Sequence, residues 1–312
     1  MRVFVAGATG AIGKPLVSRL VGGGHEVVGT TQTREKAELL RGQGVEPAVV
    51  DLLDADAARE AVVSARPEAL IHVATALSGE PDMKHFDRFF AETNRLRTQG
   101  TDALLAAARE VGVGRLIGWS YAGWPYAREG GPVKTEEDPL DPTPVDAMSE
   151  TVAAMRHQEQ AFLDAGGAVL RYGAFYGSPD DAQIELVRKR RFPIIGDGGG
   201  IWSFIHLEDA AAATVLALEQ GVTGIYNIVD DKPAPVREWL PALAEAVGAK
   251  PPRHVPPWLA RLLAGEVGLV LMTEIRGASN AKAKRALGWK LRYPSWREGF
   301  RASYGAAEAR AA

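Results

Sequence analysis

From Arg2 to Tyr172 the chain alternates two patterns of apolar residues. Short runs rich in Val, Ile and Ala read as strands at Arg2–Ala6, Glu26–Thr30, Pro47–Val50, Ala69–Val73, Arg115–Trp119 and Ala168–Tyr172. Between them, apolar positions recur at helical spacing near residues 11–22, 34–42, 55–65, 86–111 and 146–165. Glycines at Gly42 and Gly166–Gly167 are placed to close helices, where a C-cap needs positive φ. Such alternation predicts an α/β fold, a parallel sheet with helices on both faces. After Tyr176 the rhythm changes. A basic run, Arg188–Arg191, leads into PIIGDGGG, a strand-like IWSFIH and a helix from Leu207 to about Gln220. A further strand is expected at Ile225–Val229, then proline-rich joints and a helix around Trp258–Ala264.

Composition narrows the classes. The 312 residues are 46 % hydrophobic and 24 % charged, as in ordinary globular proteins, so one large or two joined domains are expected. A net charge of −3 gives no reason to expect nucleic acid or an anionic membrane as a partner. With no cysteine and six scattered histidines, disulfides and thiolate chemistry are excluded and no metal site is expected. MRVFVAGATG runs straight into a strand pattern, without a signal-peptide apolar region, so a cytoplasmic protein is expected.

The most informative run is VFVAGATGAIGKPLV. A strand ends at Ala6, and Gly7, Gly10 and Gly13 then open a helix at G-x-x-G-x-x-G spacing. Glycine allows the tight turn, the close approach of backbone to a pyrophosphate, and tight helix–strand packing. The helix start adds free N–H groups for the anion. The context is that of a Rossmann-type doubly wound sheet, with Gly7, Thr9, Gly10, Ala11, Ile12 and Gly13 at the cofactor. At the end of the second strand, TTQTREK carries no acid before Glu35. An acid there would accept from the ribose hydroxyls of NAD. Thr31, Arg34 and Lys36 could instead hold a 2′-phosphate, so NADP is expected, with NAD as the alternative. Arg34 and Lys36 would also suit a solvated first helical turn.

Six segments in order resemble the extended short-chain dehydrogenase/reductase family, the NAD-dependent epimerase/dehydratase group. They are the glycine run, VVDLLD (49–54), IHVATA (71–76), TNRLRTQGTDALLAAA (93–108), LRYGAFYG (170–177) and GDGGGIWSFIHLEDAA (196–211). The resemblance implies a cofactor-binding domain over 1–178 with a return segment about 201–229, and a smaller substrate lobe over 179–200 and 230–312. It places Asp51 and Leu52 at the adenine, Ala74, Thr75 and Ala76 along the cofactor, Asn94 on the central helix, and Tyr172, Gly173 and Phe175 near the nicotinamide.

The family's Tyr-x-x-x-Lys pair is missing. Alignment puts Thr151 and Met155 at those positions, so the chain resembles the family's atypical branch. Met155 then packs beside the ribose. A threonine hydroxyl is a far weaker acid than a phenol, and a thioether carries no charge to activate one. The family's substrate-contacting hydroxyl after the fifth strand falls on Tyr121, with Ser120 just before it, in WSYAGWPY (119–126). These two are the catalytic candidates, with an aromatic packing wall as the other reading of the same residues. The expectation is an NAD(P)-dependent oxidoreductase or epimerase. It would move hydride to or from a carbonyl or carbinol carbon of a small molecule or nucleotide sugar. A non-catalytic NADP-binding sensor or scaffold is the alternative. The sequence leaves the substrate open, and the oligomeric state too, a homodimer included. His206 before Glu208–Asp209 reads as a helix start rather than a triad member, and Arg188–Arg191 as a solvated face.

Overall fold

The computed structural model describes residues 1–77, 79–178 and 182–305. Residues 179–181 and 306–312, at the expected start and end of the small lobe, lie outside the described residues.

The sheet strands are β1 (Arg2–Ala6), β2 (Glu26–Thr31), β3 (Glu46–Val49), β4 (Ala69–His72), β5 (Arg115–Tyr121), β6 (Ala168–Tyr172) and β7 (Gly224–Ile228). They form one seven-stranded sheet in the order β7–β6–β5–β4–β1–β2–β3, all parallel. The helices around it are α1 (Gly13–Gly22), α2 (Arg34–Gly42), α3 (Ala55–Ala65), α4 (Phe86–Arg95), α5 (Thr101–Glu110), α6 (Ser149–Asp164) and α7 (Leu207–Gln220). Strand alternation sorts the core. Val3 and Val5 face Leu16 and Leu20 of α1 and Ala210 of α7, whereas Phe4 and Ala6 face Leu104 of α5 and Val62 of α3. The chain order reverses between β1 and β4, and a parallel sheet opens its ligand crevice at such a switch point.

Three local expectations need correction. The helix expected over 86–111 is α4, then a π-helical turn at Leu96–Gly100, then α5. In that wide turn the Thr101 hydroxyl donates to the Leu96 carbonyl, and the extra residue rotates everything after it. Gly42 stays inside α2, and the positive φ of 78° falls on Gly44; Gly166, at 76°, does take the left-handed turn after α6. The helix at Trp258–Ala264 runs on to Thr273, broken at Gly265, where φ is 70° and ψ is −172°.

IWSFIH splits in two. Ile201–Trp202 pairs antiparallel with Ala234–Pro235, and Phe204–His206 runs parallel to Ala174–Tyr176. These short strands, the helix Val236–Ala246 and the helix Trp296–Tyr304 bury a separate apolar cluster around Trp239, Phe204 and Phe300. Among the described residues, no helix is long and apolar enough to cross a membrane.

Candidate active site

β1 ends at Ala6 and turns through Gly7, at φ 94°, towards α1. A Cβ at Gly7 would lie 2.6 Å from the Ala74 backbone, and one at Gly13 would lie 2.2 Å from the Gly7 carbonyl oxygen. Only glycine fits either place. The Gly7 N–H donates to Thr30 Oγ1 at 2.9 Å, joining the ends of β1 and β2. No side chain caps α1, and with the Lys14 and Leu16 N–H groups donating to the Gly10 and Ile12 carbonyls, those of Ala11, Ile12 and Gly13 are left without a backbone partner among the described residues, which suits an anion there. This cradle fits the pyrophosphate of a nicotinamide dinucleotide.

The crevice is a cleft of about 410 Å³. Gly7, Thr9, Gly10, Ala11 and Ile12 form its floor, and Thr31, Gln32 and Lys36 close one end. Leu52, Ala74 and Thr75 form the middle, and Leu77, Trp119, Tyr121, Tyr172 and Phe175 the other end. Several expected cofactor residues are not on this wall. Gly13 lies under the turn, where it allows the close helix–strand contact. Arg34 is exposed in the first turn of α2, whose cap is Thr33. The Asp51 carboxylate accepts from the Leu53 N–H at 2.9 Å and shapes a turn. Ala76 is held by its N–H donating to Thr93 Oγ1 at 3.0 Å, and Gly173 is pressed against the Ser203 carbonyl. Met155 is fully buried in an apolar cluster with Phe86, Met148 and Val267.

The position of the missing tyrosine is chemically closed. Thr151 is fully buried; its hydroxyl donates to Asp87 Oδ1 at 2.5 Å and accepts from Asn94 Nδ2 at 3.0 Å. Asn94 Oδ1 in turn accepts from Arg97 Nη1 at 3.1 Å. Two phenols line the cleft. The hydroxyl of Tyr172 is 2.7 Å from Thr214 Oγ1, and burial raises its pKa. The hydroxyl of half-buried Tyr121 meets no partner among the described residues; burial raises its pKa, and Arg97 pulls it down. Ser120 points away from the cleft wall, buried and with no partner for its oxygen among the described residues.

Tyr126, the third phenol of the neighbourhood, belongs to a buried network. Its hydroxyl donates to Asn227 Oδ1 at 2.6 Å and accepts from Arg171 Nη1 at 2.9 Å. Arg171 also makes a two-pronged pair with Glu159 at 2.8 and 2.6 Å, which fixes α6 to β6 behind the cleft. His206 caps α7, its Nδ1 accepting from the Glu208 N–H at 3.0 Å, as a helix start and not a triad member.

Arg97 was not among the expected site residues. Its guanidinium is fully buried, 4.7 Å from the Trp119 ring centroid and 5.6 Å from that of Tyr121. The available signal was spacing: Arg97, Thr101, Leu104 and Ala108 share one helical face, and all four are buried.

Comparison with known proteins matches this architecture. The model of the "NAD dependent epimerase/dehydratase family" matches residues 3–229. A 3-diazoavenalumate denitrifying reductase of a Streptomyces species is 41 % identical over 96 % of this chain and 99 % of its own. A 4-hydroxy-2-methyl-3-oxo-4-farnesyl-3,4-dihydroquinoline-1-oxide ketoreductase of Stigmatella aurantiaca is 27 % identical over 91 % and 85 %. The crystal structure of a Thermus thermophilus UDP-glucose 4-epimerase with NAD superimposes with a TM-score of 0.74 at 27 % identity, covering 97 % of this chain and 98 % of that one.

Proposed function

That the chain belongs to the NAD-dependent epimerase/dehydratase family is the premise from which we propose its reaction. It is an NAD(P)-dependent enzyme of the oxidoreductase and epimerase type. Our reading is an NADPH-dependent reductase of a small, phosphate-free aromatic compound. Tyr121 serves as proton donor to the oxygen of the reduced group.

The observation that carries this reading is the state of the hydroxyls. Thr151 is closed in hydrogen bonds to Asp87 and Asn94, and Tyr172 is bound to Thr214. Tyr121 is the phenol on the cleft wall left free to face a substrate. Bound in the cleft, the nicotinamide supplies or takes up hydride; the protein orients the acceptor, excludes water and moves the proton.

The walls support an aromatic substrate. Leu77, Trp119, Tyr121, Tyr172 and Phe175 line the cleft's far end, and Phe86, Phe90, Val267 and Leu271 form the buried apolar cluster behind Tyr121 and Leu77. Two of the cations nearby are paired with carboxylates: Arg128 with Asp141 and Glu274, and Arg191 with Glu80. A sugar diphosphate needs free cations, and a planar ring needs aromatic faces. The reductases among the relatives agree with this direction of reaction. At the adenosine end, Lys36 and Thr31 with no carboxylate on the wall support NADP over NAD.

A second reading follows from the 41 %-identical relative, whose name describes loss of nitrogen from a diazo compound. Hydride added to the terminal nitrogen of an aryl diazonium gives a neutral aryldiazene, which loses N2 and leaves hydrogen on the ring carbon. That route needs no proton donor, which fits the closed Thr151. Oxidation of NADPH should be followed with aromatic aldehydes and ketones and an aryl diazonium salt, and epimerisation of UDP-glucose, which consumes no cofactor, should be followed with NAD by product analysis. The proposal predicts turnover with an aromatic acceptor. Turnover of UDP-glucose alone would overturn it. Loss of carbonyl but not diazonium turnover in Tyr121→Phe would separate the two routes.

A further inference from the structure

Arg97 poses a problem of charge. Its guanidinium is fully buried, and no carboxylate pairs with it among the described residues. Nη1 has Asn94 Oδ1, whereas Nε and Nη2 meet no acceptor. A buried cation with most of its donors unmatched is costly, and such groups concentrate at functional sites. It sits in the π-helical turn Leu96–Gly100, a local departure that itself marks functional positions. The rings of Trp119 and Tyr121 lie against it, a favourable contact that leaves the N–H groups without acceptors.

The anchoring runs in one direction. Arg97 donates to Asn94, Asn94 donates to Thr151, and Thr151 donates to Asp87, so the half-buried carboxylate of α4 holds the far end. Other ionisable groups near the guanidinium are engaged. Glu159 of α6 is paired with Arg171, and burial holds His72 of β4 neutral, its pKa lowered to about 4. Tyr121 of β5 is the group left for the charge to act on.

We propose that Arg97 is the positioning residue of this site: anchored through Asn94 and Thr151, it holds a positive charge behind the Tyr121 ring and stabilises the phenolate left after proton transfer. The step balances. The Tyr121 O–H bond breaks, an O–H bond forms on the substrate oxygen, and the neighbouring carbon is reduced by the cofactor's two electrons. Water then returns a proton to the phenolate. The pair Tyr121–Arg97 thus does from β5 and the π-helical turn what a tyrosine on α6 would do with a cation four residues on. This rests on Tyr121 as donor.

The test reads Tyr121 directly. Seven tyrosines can be labelled with 3-fluorotyrosine and followed by fluorine NMR against pH, with Tyr121→Phe and Tyr172→Phe assigning two signals by their loss. In the wild type Tyr121 should ionise before Tyr172. In Arg97→Met its midpoint should rise by about one to two pH units, and Arg97→Lys should restore most of the difference. Ionisation of Tyr121 together with or after Tyr172 would overturn the proposal, as would an unchanged midpoint in a folded Arg97→Met. If that variant does not fold, Arg97→Gln takes its place, with the same rise in the Tyr121 midpoint expected and an unchanged midpoint overturning the proposal. Unaltered turnover in Tyr121→Phe is a different failure: it rejects the donor role and leaves this coupling standing.

Discussion

Thr151 shows how one residue type can close a position that the fold leaves open. Its hydroxyl has two uses, donor and acceptor, and both are taken inside the protein. At the adenosine end of the cleft the expected pair of cations separates: Lys36 is on the wall and Arg34 is not. Lys36→Ala should therefore weaken NADPH binding about tenfold and leave NADH nearly unchanged, with Arg34→Ala having the smaller effect. Fluorescence titration with both cofactors measures it. Two buried groups give opposed pH terms. Burial lowers the His72 pKa from 6.5 to about 4, so only the unfolded chain takes up that proton between these values, and stability falls as pH falls. Burial raises the Asp230 pKa from 3.8 to about 7, so only the unfolded chain loses that proton in the window, and stability falls as pH rises. These terms offset each other in the wild type. His72→Gln should lose stability from pH 4.5 to 6.5, and Asp230→Asn should gain it. The two slopes should differ by several kcal/mol over the window, on the order of 3 for each group. Denaturant unfolding at both pH values measures the slopes, and slopes of the same sign would contradict the assignment.

At the scale of elements, the Glu159–Arg171 pair decides how α6 sits on β6. Both side chains are nearly excluded from water, at 7 % and 4 % exposure. Glu159→Ala would leave the guanidinium with only the Tyr126 hydroxyl, and should cost about 3–5 kcal/mol. A urea midpoint within error of the wild type would show that the pair is solvated in practice. The strands and most helices were legible because β-branched runs and helical spacing mark them locally. What was not legible came from one inserted residue. In TNRLRTQG nothing local announces a π-helical turn, so the spacing predicts one unbroken helix over 86–111. Gly42 misled for a similar reason. Two glycines, Gly42 and Gly44, lie near the end of α2, and the chain places the positive φ on the second, beyond the expected position.

For the whole molecule, the doubly wound parallel sheet and the glycine cradle followed from the sequence because one motif in one context implies both. The cleft's far end did not. It is lined by Leu77, by Trp119 and Tyr121 of β5, and by Tyr172 and Phe175 at the end of β6, three stretches far apart in the chain. Of the two phenols on this lining, Tyr172 is bound to Thr214, and Tyr121 has no hydrogen-bond partner among the described residues. The central claim is that this phenol, and not the usual helix position, moves the proton. The most direct measurement is steady-state reduction of an aromatic carbonyl by wild type, Tyr121→Phe, Thr151→Val and Met155→Leu, with NADPH affinity measured separately. The account predicts a loss of about 10²–10⁴ in kcat for Tyr121→Phe at nearly unchanged NADPH affinity, a clearly smaller loss for Thr151→Val, which only loosens the anchor of Arg97, and less than about tenfold for Met155→Leu. Full carbonyl turnover in Tyr121→Phe, or a collapse in Thr151→Val with folding and NADPH binding intact, would contradict it.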